Sequence, residues 1–277
     1  MQSKGKIAVL GVSITMLVMW GIITIIPLYW MIIGSFQDSY ADASMKISMW
    51  PEVWSFEPFS RFFDKTMAWR WLLNSLIVSS ILTVTNVFFA SLAGYAFAKL
   101  HFPGRNTIFW ILLMTMMIPT QVTLIPLYIL VIDVFNLKDS YMGLILPSIV
   151  SVGNIFLMKQ YMSTLPTSLI HAARIDACSE FGIFYKIILP MAKPGLSVLA
   201  IFSFVFHWND FFWPLLVTES EAMRTIQVGL AGFKFADTTD FGAIMAGATV
   251  ASLPMIILFF ALQRYFLQGI TIGAVKG

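Results

Sequence analysis

The chain has 277 residues, 58% of them hydrophobic and only 11% charged, with a formal net charge of +3. Soluble domains carry about 25% charged residues, so the composition excludes an ordinary water-soluble protein. The net charge says little about partners, and no nucleic-acid partner is expected. The single cysteine, Cys178, excludes an intramolecular disulfide framework.

A transmembrane helix needs about 20 apolar residues to cross a hydrocarbon core of roughly 30 Å. Uncharged runs occupy residues 7–37, 71–98, 106–132, 140–158 and 241–263, and a sixth run, 194–218, is interrupted only by Asp210. Backbone amides in lipid must be satisfied internally, so these runs are expected to be helices. The expectation is an all-α, polytopic membrane protein with six transmembrane helices in one domain, 1–277. The first run follows Lys4 and Lys6, as a secretory signal would, but it is longer than a signal core and no Ala-x-Ala site closes it. It is therefore read as an uncleaved span. With the N-terminus inside, the inner segments sum to +8 and the outer loops to −4, which obeys the positive-inside rule. Both termini are then cytoplasmic.

The outer loop 38–70 carries Trp50, Trp54, Phe56, Phe59, Phe62 and Phe63, a composition shared by interfacial segments and by docking surfaces. Span two has Ala90, Gly94 and Ala98 at four-residue spacing, and span six has Ala243, Gly247 and Ala251. Small residues at that period let helices approach closely; packing within the chain is the preferred reading. Span three holds Pro119 and Pro126, which remove backbone donors and are expected to bend it. Its Thr120, Gln121 and Thr123 are costly in lipid and are expected to face protein or water.

The inner segment 159–193 is long for a connection between spans, and it is polar and amphipathic. Thr167 or Ser168 is placed to cap a first short helix, and Ser179 a second, with Glu180 in its positive first turn. The two helices, joined near Ala177 and Cys178, are expected to form a compact knob with Ile175, Phe181 and Phe184 on an apolar face. Leu189-Pro190 ends the second helix. The plain alternative is an amphipathic helix lying on the membrane surface.

Span five reads Phe206-His-Trp-Asn-Asp-Phe-Phe-Trp-Pro-Leu215. A carboxylate at the bilayer centre costs roughly 2.5–3.5 kcal/mol, so Asp210 is expected to line a pathway or meet another subunit. Sixteen residues beyond Pro194, at about 1.5 Å each, put it in the outer third of the core. Trp208 and Trp213 suit either a sugar-stacking platform or an interfacial belt. His207 is expected to make an interhelical hydrogen bond.

Several of these patterns resemble one family. Ala172-Ala173, Asp176, Ile187, Leu189 and Pro190 resemble the coupling loop of bacterial ABC importer permeases. The Ile-Pro-x-Gln-x-x-x-Ile-Pro run of span three, the Trp-Asn-Asp-Phe-Phe-Trp-Pro-Leu run of span five, Leu253-Pro254, Gln263-Arg264 and the tail 269–277 are similar to the smaller permease of the maltose-type, carbohydrate-importing branch. The chain departs from the coupling pattern at His171, where the family has glutamate, and at Ala177, where it has glycine. A left-handed turn there costs alanine about 1 kcal/mol.

The resemblance implies a type I ABC importer permease fold. It implies a second homologous permease, an ABC ATPase dimer that binds ATP and Mg, and an extracytoplasmic sugar-binding protein, and it places this chain in a bacterial cytoplasmic membrane. It places His171, Ala172, Ala173, Asp176, Ala177, Glu180, Phe181, Leu189 and Pro190, with Gly273, Val275 and Lys276 of the tail 265–277, against the ATPase. Gln121, Thr123, Trp208, Asn209, Asp210 and Trp213 become the substrate-pathway candidates. A related glycerol-phosphate or other polyol importer is the alternative, although no cationic pair lies within the spans to meet a phosphate, and a membrane enzyme is a more distant one. No Gly-x-x-x-x-Gly-Lys-[Ser/Thr], His-Glu-x-x-His or Gly-x-Ser-x-Gly run occurs, so no cofactor, metal or catalytic residue is expected in this chain. An energy-independent carrier with two similar halves is disfavoured.

Overall fold

The computed structural model describes residues 4–38, 49–232 and 240–274, with side chains described for 9–38, 49–232 and 240–263. In chain order the helices are α1 (Lys4–Gly34), α2 (Glu57–Asp64), α3 (Ala68–Lys99), α4 (Arg105–Thr115), α5 (Thr120–Ile129), α6 (Tyr141–Ile145), α7 (Val152–Ser163), α8 (Ser168–Ile175), α9 (Glu180–Ile183), α10 (Leu189–Met191), α11 (Lys193–Trp208), α12 (Phe212–Val217), α13 (Ile226–Ala231) and α14 (Phe241–Ala274). No strand occurs among the described residues. π-Helical turns at Leu130–Val134 and Phe184–Ile188 extend α5 and α9.

Three unbroken helices are long and apolar enough to cross a membrane: Val9–Gly34, Ala68–Lys99 and Phe241–Gln263. Three more segments are bent pairs: Arg105–Thr115 with Thr120–Val134 at 92°, Tyr141–Ser148 with Val152–Ser163 at 45°, and Glu180–Met191 with Lys193–Trp208 at 78°. The apolar runs therefore give up to six crossings, but the middle ones are not straight. In span three the bend falls at Pro119, which has no N–H to offer, and the preceding turn closes through Met117 N to Met114 O at 3.1 Å. Pro126, by contrast, sits inside α5 without ending it. The run 194–218 is divided at Asn209–Phe211 into α11 and α12.

The chain forms two compact units. The first comprises Met1–Trp69 and Leu230–Leu253. Aromatic side chains cluster in it: the Phe36 ring lies 5.2–5.5 Å from those of Trp54, Phe56 and Phe59. Phe62 is fully buried, and Gly247 leaves room for it, since a Cβ there would come within 2.6 Å of the Phe62 ring. Arg61 Nε donates to Asp240 Oδ2 at 2.7 Å and Arg61 Nη2 to Asp38 Oδ1 at 2.9 Å.

The second unit is Arg70–Gly229 with Pro254–Gly277, and its described residues include two apolar cores. One joins Val78, Leu82, Val131, Leu144, Trp213 and Val217. The other joins Tyr95, Ile155, Met158, Met162, Ile170, Ile183, Phe184, Ile188 and Leu199. Gly94 brings α3 against α7, where a Cβ would lie 2.8 Å from Met158 Cβ. The small-residue spacing of spans two and six thus serves packing within the chain.

Candidate functional site

The knob exists as two short helices, and its turn has a defined geometry. Ala177 takes φ +54°, its N–H donates to Arg174 O at 3.1 Å, and the Cys178 N–H donates to Ala173 O at 3.0 Å. That pair of bonds is a Schellman termination of α8, with alanine in the left-handed position normally held by glycine. The turn is thus the glycine-type turn, built with alanine. Ser179 Oγ then accepts from Gly182 N at 3.1 Å and starts α9. Neither Thr167 nor Ser168 makes a side-chain cap on α8. Thr167 Oγ1 instead accepts from Lys99 Nζ at 3.3 Å, and the same ammonium donates to Leu165 O at 2.6 Å.

The inner face of the knob is part of the bundle core. Ile170, Ile183 and Ile188 are fully buried, with Ala173 at 5% and Phe184 at 4% exposure. Phe184 therefore does not belong to the exposed apolar face; its ring lies 5.3 Å from that of Tyr95 on α3. The outer face carries Ile175 at 86% and Phe181 at 69% exposure, together with exposed Tyr185, His171, Ala172, Asp176, Ala177, Glu180 and Pro190. Leu189 is half-buried. Ala173 thus faces inward while its predicted neighbours face out, because four helical residues cannot all share one side.

Polar contacts lock the knob to span two. Arg174 Nε donates to Glu180 Oε1 at 2.7 Å, and Tyr95 Oη donates to Glu180 Oε2 at 3.0 Å. The Arg174 guanidinium holds the Glu180 carboxyl below its ordinary pKa, and the carboxylate in turn raises that of Arg174. Glu180 therefore ties α9 to α8 and to α3 as well as opening α9. Val275 and Lys276 lie outside the described residues, and Gly273 falls in the last turn of α14.

The pathway candidates do not form one cluster. Gln121 and Thr123 are exposed on α5, and Thr123 Oγ1 donates back to Thr120 O at 3.0 Å. Trp208 is 2% exposed and stacks on Phe204 at 5.7 Å, and Trp213 is 7% exposed with its indole N–H donating to Gly143 O at 3.0 Å. Both indoles are committed to packing inside the subunit. Asn209 is exposed and closes α11 through Nδ2 to Val205 O at 2.8 Å. Asp210 lies in the break, its carboxylate toward the amides of Trp213, Phe212 and Phe211 at the positive start of α12. Among the described residues, His207 has no side-chain hydrogen bond; its ring meets Phe206 edge-on at 5.2 Å. The interhelical bond expected for it is absent there.

Sequence reasoning missed Asn86. It is fully buried on α3, donates to Leu82 O at 2.9 Å and to Ser148 O at 2.8 Å, and accepts from Ser151 N and Asn154 Nδ2, each at 2.9 Å. One amide side chain so satisfies the backbone that the break in span four exposes. An asparagine in the middle of an apolar run was the available signal.

The chain has counterparts among known proteins. Residues 86–272 match the family described as binding-protein-dependent transport system inner membrane component. The chain belongs to this family. It is therefore a multi-pass membrane protein of the ABC importer permease class, a transport subunit. It is 35% identical over 281 residues to the arabinooligosaccharides transport system permease protein AraQ of Bacillus subtilis strain 168, covering 100% of each chain. It is 35% identical over 201 residues to the sn-glycerol-3-phosphate transport system permease protein UgpE of Yersinia pestis, covering 72% of this chain and 71% of that one. A crystal structure of a bacterial ABC transporter involved in the import of the acidic polysaccharide alginate contains a chain with the same fold (TM-score 0.84, 21% identity, 96% of this chain and 99% of that one covered).

Proposed function

We propose that this chain is one permease of an ATP-driven importer for a sugar, chiefly an oligosaccharide, and that the knob transmits the ATPase stroke to the spans. The observation that carries the coupling role is the two-faced knob. Its inner face is packed into the bundle through Ile170, Ile183, Phe184 and Ile188, while Ile175 and Phe181 are exposed on the opposite face. An exposed apolar side chain on a rigid mount is what a groove on another subunit can hold, and a push on it moves the spans without first compressing the knob.

In this reading His171, Ala172, Asp176, Ala177, Phe181 and Pro190 meet an ATPase subunit, and Ala173, Glu180 and Leu189 position them. The tail, with Gly273, Val275 and Lys276, adds a second ATPase contact. ATP and Mg stay on the two ATPase subunits. A second, homologous permease completes the pathway, a sugar-binding protein delivers the substrate, and both termini of this chain face the cytoplasm. Gln121, Thr123, Asn209 and Asp210 are the candidate residues still open to substrate or to the second permease. The full-length similarity to an arabinooligosaccharide permease supports the oligosaccharide reading. The similarity to UgpE keeps glycerol phosphate as the second reading.

The test is a detergent pull-down of the ATPase subunit together with cellular uptake of labelled arabinotriose or glycerol 3-phosphate. Phe181→Asp and Ile175→Asp should each lower ATPase recovery and uptake by about tenfold or more, the equivalent of about 1.4 kcal/mol, at unchanged membrane insertion. Normal recovery and normal uptake in both variants would remove the coupling assignment.

A further inference from the structure

The break in span four opens a cavity of about 540 Å³ against α11, within the roughly 300–1,000 Å³ of ordinary ligand sites. Its polar lining comes from Ser148, Ser151, Asn154, Ser203 and His207. Two of these groups are unused by the protein. Ser203 is 2% exposed, and its Oγ has no hydrogen-bond partner among the described residues. A buried hydroxyl left alone is destabilising unless something bonds it. The His207 ring nitrogens are likewise unpartnered there. Asn154 spends its amide N–H on Asn86, which leaves its Oδ1 available. Among the described residues no Lys, Arg, Asp or Glu lines the cavity, and aromatic carbon from Phe202 and Phe206 completes it.

Resting on the importer reading, we propose that this cavity is a binding subsite for one glycosyl unit of a neutral saccharide. Ser203 and His207 bond its hydroxyls, Asn154 accepts a third, and the Phe206 ring covers its C–H face. Neutral donors and acceptors beside an aromatic face match a sugar ring. A phosphate ester entering the same space would lose its water without meeting a cation. Asn86 holds the break open by satisfying the backbone on both sides of it, so the cavity is built into the fold.

The experiment complements cells lacking this gene with the full-length chain and follows uptake of labelled arabino-, malto- and xylotriose and, in parallel, glycerol 3-phosphate. ATPase co-purification is measured on the same membranes. Ser203→Leu, which fills the cavity, and His207→Phe should lower uptake of the transported trisaccharide by about tenfold or more, while ATPase co-purification stays at the wild-type level. Ser203→Thr and His207→Gln, which keep a hydrogen-bonding group, should recover most of that loss. Wild-type uptake by Ser203→Leu and His207→Phe would overturn the subsite while leaving the importer reading intact. Loss of ATPase co-purification together with uptake would also overturn it, because the cavity would then be a packing seam. Wild-type cells that import glycerol 3-phosphate and no trisaccharide would overturn the neutral-sugar reading itself.

Discussion

Ala177 holds φ +54° at the tip of the knob, where its Cβ crowds the following carbonyl. Ala177→Gly relieves a penalty of about 1 kcal/mol, partly offset by the greater freedom of glycine in the unfolded chain. The expected result is slower hydrogen exchange at the amides of Ala177 and Cys178, whose bonds to Arg174 O and Ala173 O close the turn. Exchange that stays the same or quickens would show that alanine is unstrained there. Arg61 presents the opposite case, a pair that tolerates no single deletion. The Asp240 side chain is 0% exposed, and besides pairing with Arg61 it caps α14, its Oδ1 accepting from Ala243 N at 2.9 Å. Burial lowers the Arg61 pKa, and the bonds to Asp240 and Asp38 more than reverse that, leaving it above its ordinary value. Arg61→Leu strands the Asp240 carboxylate, at a cost of about 3–5 kcal/mol. Asp240→Asn added to Arg61→Leu should restore part of the lost thermal stability in detergent. An Arg61→Leu protein as stable as wild type would mean the pair contributes nothing. The turn at Ala177 was legible in the sequence because its family counterpart is glycine. The Arg61–Asp240 pair was not, because no local pattern links positions 179 residues apart.

At the scale of elements, the apolar runs located the spans but not their breaks. Hydropathy measures transfer into lipid and is indifferent to a backbone that turns, provided some side chain satisfies it. Asn86 does this for span four, and Asp210, at the start of α12, stands at the break in span five. The sequence showed one as a polar amide within an apolar run and the other as a costly acid, and only the fold shows what each meets. The knob was more legible, since Ser179 and the turn carry local signals. Phe184 was misread because helix periodicity alone does not say which side faces the bundle; burial against Tyr95 decides that. The Arg174–Glu180–Tyr95 link gives a pH signature. The Glu180 pKa is depressed in the folded protein, so the link contributes fully above the unfolded carboxylate value of about 4.3 and is lost as pH falls through the folded value. A fluorophore on Cys178, the sole cysteine and an exposed one, should report constant anisotropy from about pH 6 to 8 and greater mobility only once pH has fallen below the ordinary carboxylate value of about 4.3. Glu180→Gln should be more mobile than wild type at neutral pH and lack the acid step. An acid transition that persists in Glu180→Gln would assign the signal to another group.

For the whole molecule, the decisive quantity is how charge is divided among the loops. The segments assigned inward sum to +8 and those assigned outward to −4, an imbalance that orients a polytopic protein through the cost of moving Lys and Arg across the bilayer. The knob contains Arg174 and Lys186, so its side follows from the same rule, and an ATPase can be its partner only if that side is the cytoplasm. The outer loop offers the opposite check, because it holds the aromatic cluster around Phe36 and Trp54. Alkaline phosphatase folds only outside the cytoplasm, where its disulfides form. Fusions after Glu52 should therefore be active and fusions after Asp176 inactive, with green fluorescent protein giving the reverse pattern. The six-crossing reading adds a parity condition: a reporter fused after Gly277 must behave like one fused after Asp176. Phosphatase activity at Asp176 would invert the topology and end the coupling role of the knob. Opposite behaviour at Asp176 and Gly277 would mean that the bent pair between them, Glu180–Met191 with Lys193–Trp208 at 78°, enters and leaves by the same face.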